Sequence, residues 1–395
     1  MISFEEAIEL IRSVAQPLGI ESVPLEQAAG RVLAGPIIAQ IDSPRSDVSA
    51  MDGYAVRDKD LESFPISLRI AGEAFAGVSW NGRVGRGSCA RIFTGAPVPG
   101  GADRVIIQED VRGEGELAIV ERHPGARRHI RKRGSDFSAG DELLAAGRLL
   151  DPRAMVAAAG ADPADLTVFR RQTVNLLSTG DELAPPGLAR DRADAIPESV
   201  SFGVAALAQQ WGAEIVGRAR LRDDLGAMKS AAEAALETAH VIVVTGGASV
   251  GEKDFAKAMF EPLGLDLLFS KVSVKPGKPV WVGRVGQRWI VGLPGNPTSA
   301  LVTARLFLVP LLAALGGRSL ADALSWRNLT LASSLPKCGS RETFHRAKIS
   351  KGEAEVLPFQ DSSSQKTLAE ADLLVRQRAG SPPLGAGEIV QVLDF

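Results

Sequence analysis

The sequence has 395 residues, of which 45% are hydrophobic and 23% are charged, with a formal net charge of −2. These values are typical of a soluble folded protein of about two to three domains, and they disfavour a general nucleic-acid-binding protein. No uninterrupted apolar stretch approaches the roughly 20 residues of a membrane span, and the acidic start at residues 1–6 does not resemble a secretory signal. We therefore expect a cytoplasmic protein with neither nucleic-acid nor membrane partners.

Two cysteines, Cys89 and Cys338, are the only thiols in the chain. They are far apart and belong to no Cys-x-x-Cys pair, so the sequence indicates neither a disulfide framework nor a thiolate zinc site. Buried, unreactive thiols are the expected outcome.

The amino-terminal part of the chain predicts helices, and the following part predicts strands. Apolar residues at helical spacing predict an amphipathic helix over residues 4–15, and a second helix is expected over residues 24–34. From about residue 45 to 145, short alternating runs such as residues 67–72 and 104–107 are punctuated by Gly and Pro, which is typical of a small β domain.

Strands and helices alternate from about residue 172 to 316. Strands are predicted at 174–177, 213–216 and 241–244, with helices at 199–211, 225–238 and 298–315. This alternation predicts a doubly wound, mainly parallel α/β sheet, and the β-like texture of the last residues predicts a small barrel. The expected class is therefore multidomain α/β plus β, with a discontinuous helical domain (1–44 and 146–171), a β domain (45–145), an α/β domain (172–317) and a C-terminal β barrel (318–395).

A basic stretch lies within the predicted β domain. It contains Arg122, Arg127, Arg128, His129, Arg131, Lys132 and Arg133. A solvated loop face is favoured over direct contact with a substrate, since such charge runs usually lie in solvent.

Four glycine-rich turns follow apolar runs in the second half of the chain. They cover residues 178–182, 245–251, 275–279 and 293–299. Turns at the carboxyl ends of strands in an open α/β sheet present backbone N–H groups and helix N-termini, which bind anions. Anionic small molecules are the expected ligands, although neither the Walker spacing nor Gly-x-Gly-x-x-Gly is present.

Several carboxylates fall at the predicted strand ends: Asp181, Glu182, Asp223, Asp224 and Asp254. Together they would repel one another unless a cation lay between them, which favours a hard metal such as Mg²⁺ shared with substrate phosphates. A single Asp at such a position is more often a helix N-cap, so the hypothesis depends on the joint pattern.

Two lysines and one serine are candidate anion ligands. Lys275 and Lys278 lie in a turn restrained by Pro276 and Pro279, which suits an oxyanion or a pyrophosphate. The turn at 295–297 precedes a predicted helix, where free N–H groups and the Ser299 hydroxyl would also face an anion.

The β-domain loops carry further polar residues whose interpretation depends on context. Asp52 precedes Gly53, Thr94 and Asp103 flank a loop with two prolines, and Asp136 follows the basic stretch. Taken alone, each is explained by an ordinary turn or by ion pairing.

Six ordered segments together resemble the molybdopterin molybdenumtransferases, the MoeA-type family related to the E domain of gephyrin. They are residues 49–55, 94–99, 178–183, 246–251, 275–279 and 293–297. The resemblance spans nearly the whole chain. It implies insertion of molybdate into adenylylated molybdopterin, with Mg²⁺-dependent release of AMP, by an elongated homodimer whose α/β domain faces the partner's β domain.

The resemblance also implies residue roles. The catalytic set is Asp52, Thr94 and Asp136 from the β domain, with Glu182, Asp223 and Asp254, which also bind the metal, from the α/β domain. Substrate and anion contacts are implied for Gly246, Gly247, Ser249, Lys275, Lys278, Pro294, Gly295, Asn296, Pro297, Ser299, Arg341, Ser362 and Ser363.

Three positions depart from the family pattern. Val200 follows Ser199 where an Asn is usual, Ser46 replaces an aromatic residue, and Asp361 places an acid where Gly or a basic residue is usual. These departures keep other functions open: a divergent paralogue with altered substrate handling, an adenylyltransferase-like enzyme acting on a pterin or nucleotide, or a gephyrin-like scaffold without activity.

Overall fold

The computed structural model describes residues 1–246 and 255–395. The first elements are helix α1 and strands β1 and β2: Phe4–Val14, Ile20–Pro24 and Ile37–Ile38. Helix α1 confirms the first predicted helix and begins with a capping box, in which the Glu6 amide donates to Ser3 Oγ (3.1 Å) and the Ser3 amide donates to Glu6 Oε2 (2.7 Å).

The second predicted helix, over residues 24–34, is wrong. Strand β1 ends at Pro24, a single 3-10 turn covers Leu25–Gln27, and no α-helix follows. Gly30 has a φ of 72°, a left-handed conformation that a continuous helix does not accommodate. The apolar residues of this segment are instead buried as a loop, with Val23, Ala28 and Leu33 in one small core.

The region from residue 45 to 145 is built from short strands, as predicted. They are β3 (Val48–Ser49), β4 (Gly53–Val56), β5 (Ile66–Ala74), β6 (Ser88–Ile92), β7 (Arg104–Ile107), β8 (Val111–Glu114), β9 (Leu117–Val120), β10 (Ile130–Arg131) and β11 (Glu142–Leu144). Six of them form one sheet in the order β7-β4-β6-β5-β9-β8. Cys89 is buried within this sheet, and burial raises the pKa of its thiol to about 12, so it is not a reactive thiolate.

Three antiparallel strand pairs join this part of the chain to earlier strands. Helix α2 (Pro152–Gly160) and strand β12 (Asp165–Phe169) follow β11. Strand β10 pairs with β3, β11 pairs with β2, and β12 pairs with β1. The chain therefore returns to pair with its own amino-terminal segment.

The third region contains a six-stranded mixed sheet flanked by helices. Its elements are β13 (Thr173–Thr179), β14 (Leu183–Ala184), β15 (Ile196–Pro197), α3 (Val200–Gln210), β16 (Glu214–Leu221), α4 (Leu225–Thr238), β17 (Val241–Thr245), α5 (Phe255–Ala258), β18 (Asp266–Ser270), β19 (Val274–Lys275), β20 (Trp281–Val285), β21 (Arg288–Leu293), α6 (Pro297–Thr303) and α7 (Val309–Leu315). The order is β16-β13-β17-β21-β20-β18, with the first four strands parallel. Strand β20 is antiparallel to both β21 and β18.

Both faces of this sheet are buried. On β17, Val241 and Val243 belong to the core that contains α1, α3, α6 and α7, whereas Ile242 and Val244 belong to the core that contains α4 and α5. Burial on both faces explains why the strand is a continuous apolar run rather than an alternating one.

The helical stretch Pro297–Leu315 is long and apolar enough to span a membrane, and within the described part of the chain it is the only one. It is 94% buried inside the protein, as a core helix is. A π-helical segment, Ala304–Leu308, joins its two halves, α6 and α7. Phe307 in this segment is fully buried against Phe4 and Phe269.

The last region is built around another mixed sheet. It comprises α8 (Leu320–Ala323), β22 (Arg327–Thr330), β23 (Glu342–Ser350), β24 (Glu353–Val356), α9 (Gln365–Ala369), β25 (Leu373–Gln377) and β26 (Ile389–Asp394). The order is β19-β23-β25-β26-β22, and β24 also pairs with β23. The predicted combination of an α/β region with β regions is thus confirmed, whereas the exact domain boundaries stay predictions.

Candidate functional site

A cavity of about 720 Å³ lies at the carboxyl ends of the parallel strands. Thr179 at the end of β13, Thr245 at the end of β17 and Pro294 after β21 all line it. Eight residues singled out from the sequence also line it: Glu182, Asp223, Gly246, Pro294, Gly295, Asn296, Pro297 and Ser363. The glycine-rich turns therefore converge on one site, as expected for ligand binding at this edge of an α/β sheet.

The turn that follows β17 at this cavity requires glycine at one position, Gly246. Gly246 has a φ of 89°, and a Cβ there would lie 2.5 Å from the Thr179 carbonyl oxygen. A Cβ on Gly295 would lie 3.4 Å from the Gly246 Cα, so the two turns are in close contact. The turn at 245–246 and the turn at 294–297 therefore pack backbone against backbone, and the Gly246 amide donates to the Leu293 carbonyl (3.3 Å).

Buried hydroxyl groups hold the strand ends in register. Thr245 Oγ1 donates to Ser178 Oγ (3.1 Å), and Thr179 Oγ1 donates to the Thr245 carbonyl (3.3 Å). All three side chains are nearly inaccessible to solvent. They fix the geometry of the turns that follow them.

Two of the predicted metal-binding carboxylates, Glu182 and Asp223, line the cavity. The third, Asp254, lies outside the described residues, together with the predicted contacts Gly247 and Ser249. Among the described residues no group of three His, Cys, Asp or Glu side chains is arranged to hold a metal ion. Two carboxylates beside a cavity are nevertheless enough for Mg²⁺, which is commonly held by one or two carboxylates and by substrate phosphates.

The neighbouring acids have structural roles. Asp224 Oδ1 accepts the Ala227 amide (2.7 Å) and so caps helix α4, as the N-cap alternative predicted. Asp181 Oδ1 accepts the amide of Asp223 (3.2 Å) and thereby positions the backbone of that residue.

The segment 196–200 forms a wall of the cavity that the sequence reasoning had not assigned to the site. Glu198 is buried and accepts two hydrogen bonds from Ser201, from its amide (2.8 Å) and its hydroxyl (2.6 Å). Val200 opens helix α3 beside the cavity. Val200, which stands where the family usually has Asn, therefore lies in the cavity wall. This difference from the family pattern was the only sequence signal that pointed to the segment.

The C-terminal region contributes one side of the cavity. Asn296 Nδ2 donates to Ser362 Oγ (3.0 Å), and the Thr298 amide donates to the Ser362 carbonyl (3.1 Å). Ser363 lines the cavity, and its amide (2.8 Å) and hydroxyl (2.5 Å) both donate to Asp361 Oδ1. These bonds lower the pKa of Asp361, so the acid at this unusual position is ionised and orients the serine loop.

The predicted anion ligands do not all face this cavity. Pro279 lines it, but Lys275 lines a separate cavity of about 370 Å³ beside His345. Lys278 is exposed and lines neither cavity, and Ser299 is buried within α6. Arg341 is partly exposed, and its guanidinium donates to the Val274 carbonyl (3.4 Å).

The predicted β-domain residues lie outside this cavity, and two of them, Asp52 and Thr94, are hydrogen-bonded to each other. Thr94 donates from its amide (2.7 Å) and its hydroxyl (2.8 Å) to Asp52 Oδ1. Asp136 is exposed, and its amide donates to the Ser43 carbonyl (3.0 Å). None of the three lines the large cavity of the same chain.

The basic stretch of the β domain is largely ion-paired. Arg128 contacts Asp58 (3.0 Å) and Lys132 contacts Asp47 (2.6 Å). These pairs are partly exposed, as expected for a solvated loop face. Ser46, the second departure, is exposed beside Asp47.

Family models match three consecutive parts of the chain. The MoeA N-terminal region (domain I and II) matches residues 2–161, a probable molybdopterin binding domain matches 175–314, and the MoeA C-terminal region (domain IV) matches 328–395. The large cavity is therefore formed by the second and third of these regions.

Full-length relatives show the same relationship. The chain is 34% identical over 405 residues to a molybdopterin molybdenumtransferase of Haemophilus influenzae, covering 100% of this chain and 99% of the relative. It is 33% identical to molybdopterin molybdenumtransferase 2 of Mycobacterium tuberculosis H37Rv, with full coverage of both chains. A solved molybdopterin biosynthesis MoeA protein from Pyrococcus horikoshii OT3 superposes with a TM-score of 0.83 at 26% identity, with 100% of both chains covered. The chain accordingly belongs to the MoeA-type family of molybdopterin molybdenumtransferases.

Proposed function

We propose that this protein inserts molybdate into adenylylated molybdopterin and releases AMP. The observation that carries the proposal is the large cavity, where Glu182 and Asp223 lie beside the turns Thr245–Gly246 and Pro294–Pro297. Backbone N–H groups at such turns suit phosphate oxygens, and the cavity volume is within the range of small-molecule sites.

Mg²⁺ is the proposed metal at the two carboxylates. Without a cation, the charges of Glu182 and Asp223 would repel the phosphates of an adenylylated substrate. When bound, Mg²⁺ would polarise the pyrophosphate link. Asn296 and Ser363 also line the cavity, which supports them as further substrate contacts in this proposal.

Molybdate is a substrate in this proposal, and Lys275, Lys278 and Arg341 are its proposed ligands. Charge-assisted hydrogen bonds from such groups to an oxyanion are stronger than neutral ones. Lys275 is the last residue of β19, which comes from the α/β part of the chain and pairs with β23 of the C-terminal sheet. The oxyanion would therefore bind where these two regions meet.

A homodimer with a shared site is also part of the proposal. Asp52, Thr94 and Asp136 do not line the cavity of their own chain, so an assembly in which they reach the cavity of a second copy would bring all the predicted residues together. Two-fold symmetry would produce two such sites.

The proposal also includes a cytoplasmic location, a doubly wound α/β domain and a C-terminal barrel. Burial of β17 on both faces supports the doubly wound domain. A bridge between Leu331 and Ala354 supports the barrel.

The test is AMP release from adenylylated molybdopterin, measured with and without Mg²⁺ and molybdate. We expect release only when both are present and a large loss in Glu182→Gln. Glu233→Gln, an exposed carboxylate on α4, is the matched control and should keep full activity. Absence of AMP under conditions where a known insertase releases it would contradict the proposal, and attachment of AMP instead would indicate an adenylyltransferase.

A further inference from the structure

A second, smaller cavity of about 170 Å³ lies at the other end of the parallel sheet. Gln172, which lines it, immediately precedes β13, whereas Thr179 at the end of β13 lines the large cavity. A strand of seven residues spans about 20 Å. The small cavity is therefore separate from the candidate site for molybdopterin.

Four arginines line the small cavity, and none of its lining residues is acidic. They are Arg31, Arg170, Arg171 and Arg318. They come from three separate parts of the chain: the amino-terminal segment, the connection before β13, and the turn after α7. The fold therefore gathers positive charge here that is scattered in the sequence.

Only part of this charge is neutralised. Arg31 is buried and ion-paired with Glu21, and it also donates to the Phe169 carbonyl (2.8 Å). Burial lowers the pKa of Arg171, and the neighbouring charge of Arg31 lowers it further, while Glu214 and Glu21 act in the opposite direction. Arg171 donates only a long hydrogen bond, to the Ala29 carbonyl (3.4 Å).

Arg318 differs from the exposed Arg171 in having a buried donor without a hydrogen-bond partner. Its guanidinium lies 4.0 Å from the centroid of the Trp211 ring, and its Nε is buried without a hydrogen-bond partner. Buried donors of a charged group are normally paired, because leaving them unpaired is costly. Because Nε itself is inaccessible to solvent, an oxyanion in the cavity would accept from the terminal nitrogens of this guanidinium.

We propose that this cavity binds a small tetrahedral dianion of the phosphate and sulfate class, with Arg171 and Arg318 as its principal ligands. Cavities of about 150 Å³ hold a molecule the size of benzene, so a tetrahedral oxyanion fits. Arginine is suited to this task because its planar guanidinium donates two parallel hydrogen bonds to an oxyanion.

The position of the cavity gives the anion a structural effect. Gly30 and Arg31 belong to the amino-terminal region, Trp211 belongs to the α/β region, and Arg318 lies in the turn between α7 and α8. A dianion would be held by side chains of both regions and would bind only when they are assembled. Binding should therefore raise the melting temperature of the protein, as any ligand of the folded state does.

The test uses inorganic phosphate as the probe, at constant ionic strength maintained with chloride, so that general screening is held fixed. Tryptophan fluorescence should change saturably with phosphate because Trp211 lies in the cavity, and sulfate should compete. Calorimetry and the shift of melting temperature should give the same affinity. Arg171→Gln and Arg318→Gln should each weaken binding by about tenfold or more, the loss expected for one charge-assisted contact.

Two variants serve as controls. Arg86→Gln removes the same charge from an exposed position in the β domain and should bind phosphate like the wild type. Trp211→Phe should lose the fluorescence change, which identifies Trp211 as the source of the signal. A circular dichroism melt of each variant without phosphate establishes that it is folded.

The proposal is overturned if the wild type shows no saturable phosphate binding. It is equally overturned if the folded Arg171→Gln and Arg318→Gln proteins bind phosphate as tightly as Arg86→Gln. Persistence of the fluorescence change in Trp211→Phe would place the anion elsewhere. Because phosphate binding is measured without molybdopterin, none of these outcomes depends on the proposed insertion activity.

Discussion

Both the amide and the hydroxyl of Thr94 donate to the same carboxylate oxygen of Asp52, at 2.7 and 2.8 Å. The two donors favour the ionised carboxylate, so they lower the pKa of Asp52, with the amide as the larger cause. Asp52 is therefore an anion throughout the neutral range. A carboxylate held in this way can act as an acceptor or a metal ligand but not as a proton donor.

Thr94→Val removes the hydroxyl donor and keeps the amide donor, so the pKa of Asp52 should rise toward its ordinary value of about 3.9. Because the folded pKa lies below the unfolded one, Asp52 contributes stability above pH 4, and that contribution is lost as the pH falls through the folded pKa. Carboxyl carbon shifts measured by NMR titration report the change. Thr238→Val on α4 is the control, and an unshifted Asp52 in Thr94→Val would contradict the assignment.

The shared site predicts complementation between two inactive variants. Asp52→Asn and Lys275→Ala subunits, mixed and allowed to exchange, should recover about a quarter of wild-type activity. Half of the dimers would be mixed, and one of the two sites in each would contain both intact residues. The measurement is AMP release after exchange is verified by mass spectrometry. Sedimentation as a monomer, or verified heterodimers without activity, would exclude a shared site.

The paired lysines predict a loss of affinity rather than a loss of folding. Lys275→Ala or Lys278→Ala removes one charge-assisted contact to molybdate, worth about 1.5 to 3 kcal/mol. Molybdate affinity measured by calorimetry should therefore fall by roughly tenfold or more. Both lysines are exposed, so the melting temperature should change little. Unchanged affinity in both variants would show that the oxyanion binds elsewhere.

Gly246→Ala should impair both folding and ligand binding. The left-handed backbone alone costs about 1–3 kcal/mol for a residue with a side chain, and the new Cβ would meet the Thr179 carbonyl. Gly77→Ala is the matched control, since Gly77 has a φ of 78° with no atom within 4 Å of an added Cβ. Urea denaturation should show a larger loss for Gly246→Ala, and equal losses would show that the turn can shift.

Phe307→Ala should destabilise the core beneath the site by about 3–5 kcal/mol, the range for buried aromatic residues. Phe307 is fully buried, and its ring contacts Phe4 and Phe269 at centroid distances of 5.8 and 5.9 Å. Phe359→Ala, at a side chain that is 73% exposed, should be nearly neutral. Denaturant midpoints measure the loss of stability in the two variants. A small loss in Phe307→Ala would mean that neighbouring side chains fill the space left by the ring.

Local patterns predicted the elements that surround the site. Helices α3 and α4 and strand β17 were predicted within one or two residues, because their periodicity or continuous apolar run is set by burial in the sheet. The segment 24–34 failed because its apolar residues pack as a loop around Gly30, and no local pattern distinguishes that from a helix.

The set of residues that line the cavity was harder to predict from the sequence. The hydrogen bond between Asn296 and Ser362 joins residues 66 positions apart, and the wall at Val200 depends on where α3 packs. Lys275 and Lys278 lie three residues apart, yet of the two only Lys275 lines the cavity beside His345. Such features arise from long-range packing, which spacing along the chain does not encode.

Strand β19 has a consequence for dissecting this protein into fragments. Val274 and Lys275 pair with Glu342 and Thr343 at the start of β23. One edge strand of the C-terminal sheet therefore comes from the preceding region of the chain. A fragment beginning at residue 318 would leave that edge of β23 unpaired, and exposed strand edges promote self-association. The C-terminal region expressed alone should therefore aggregate. To retain the edge strand, a fragment must begin before residue 274.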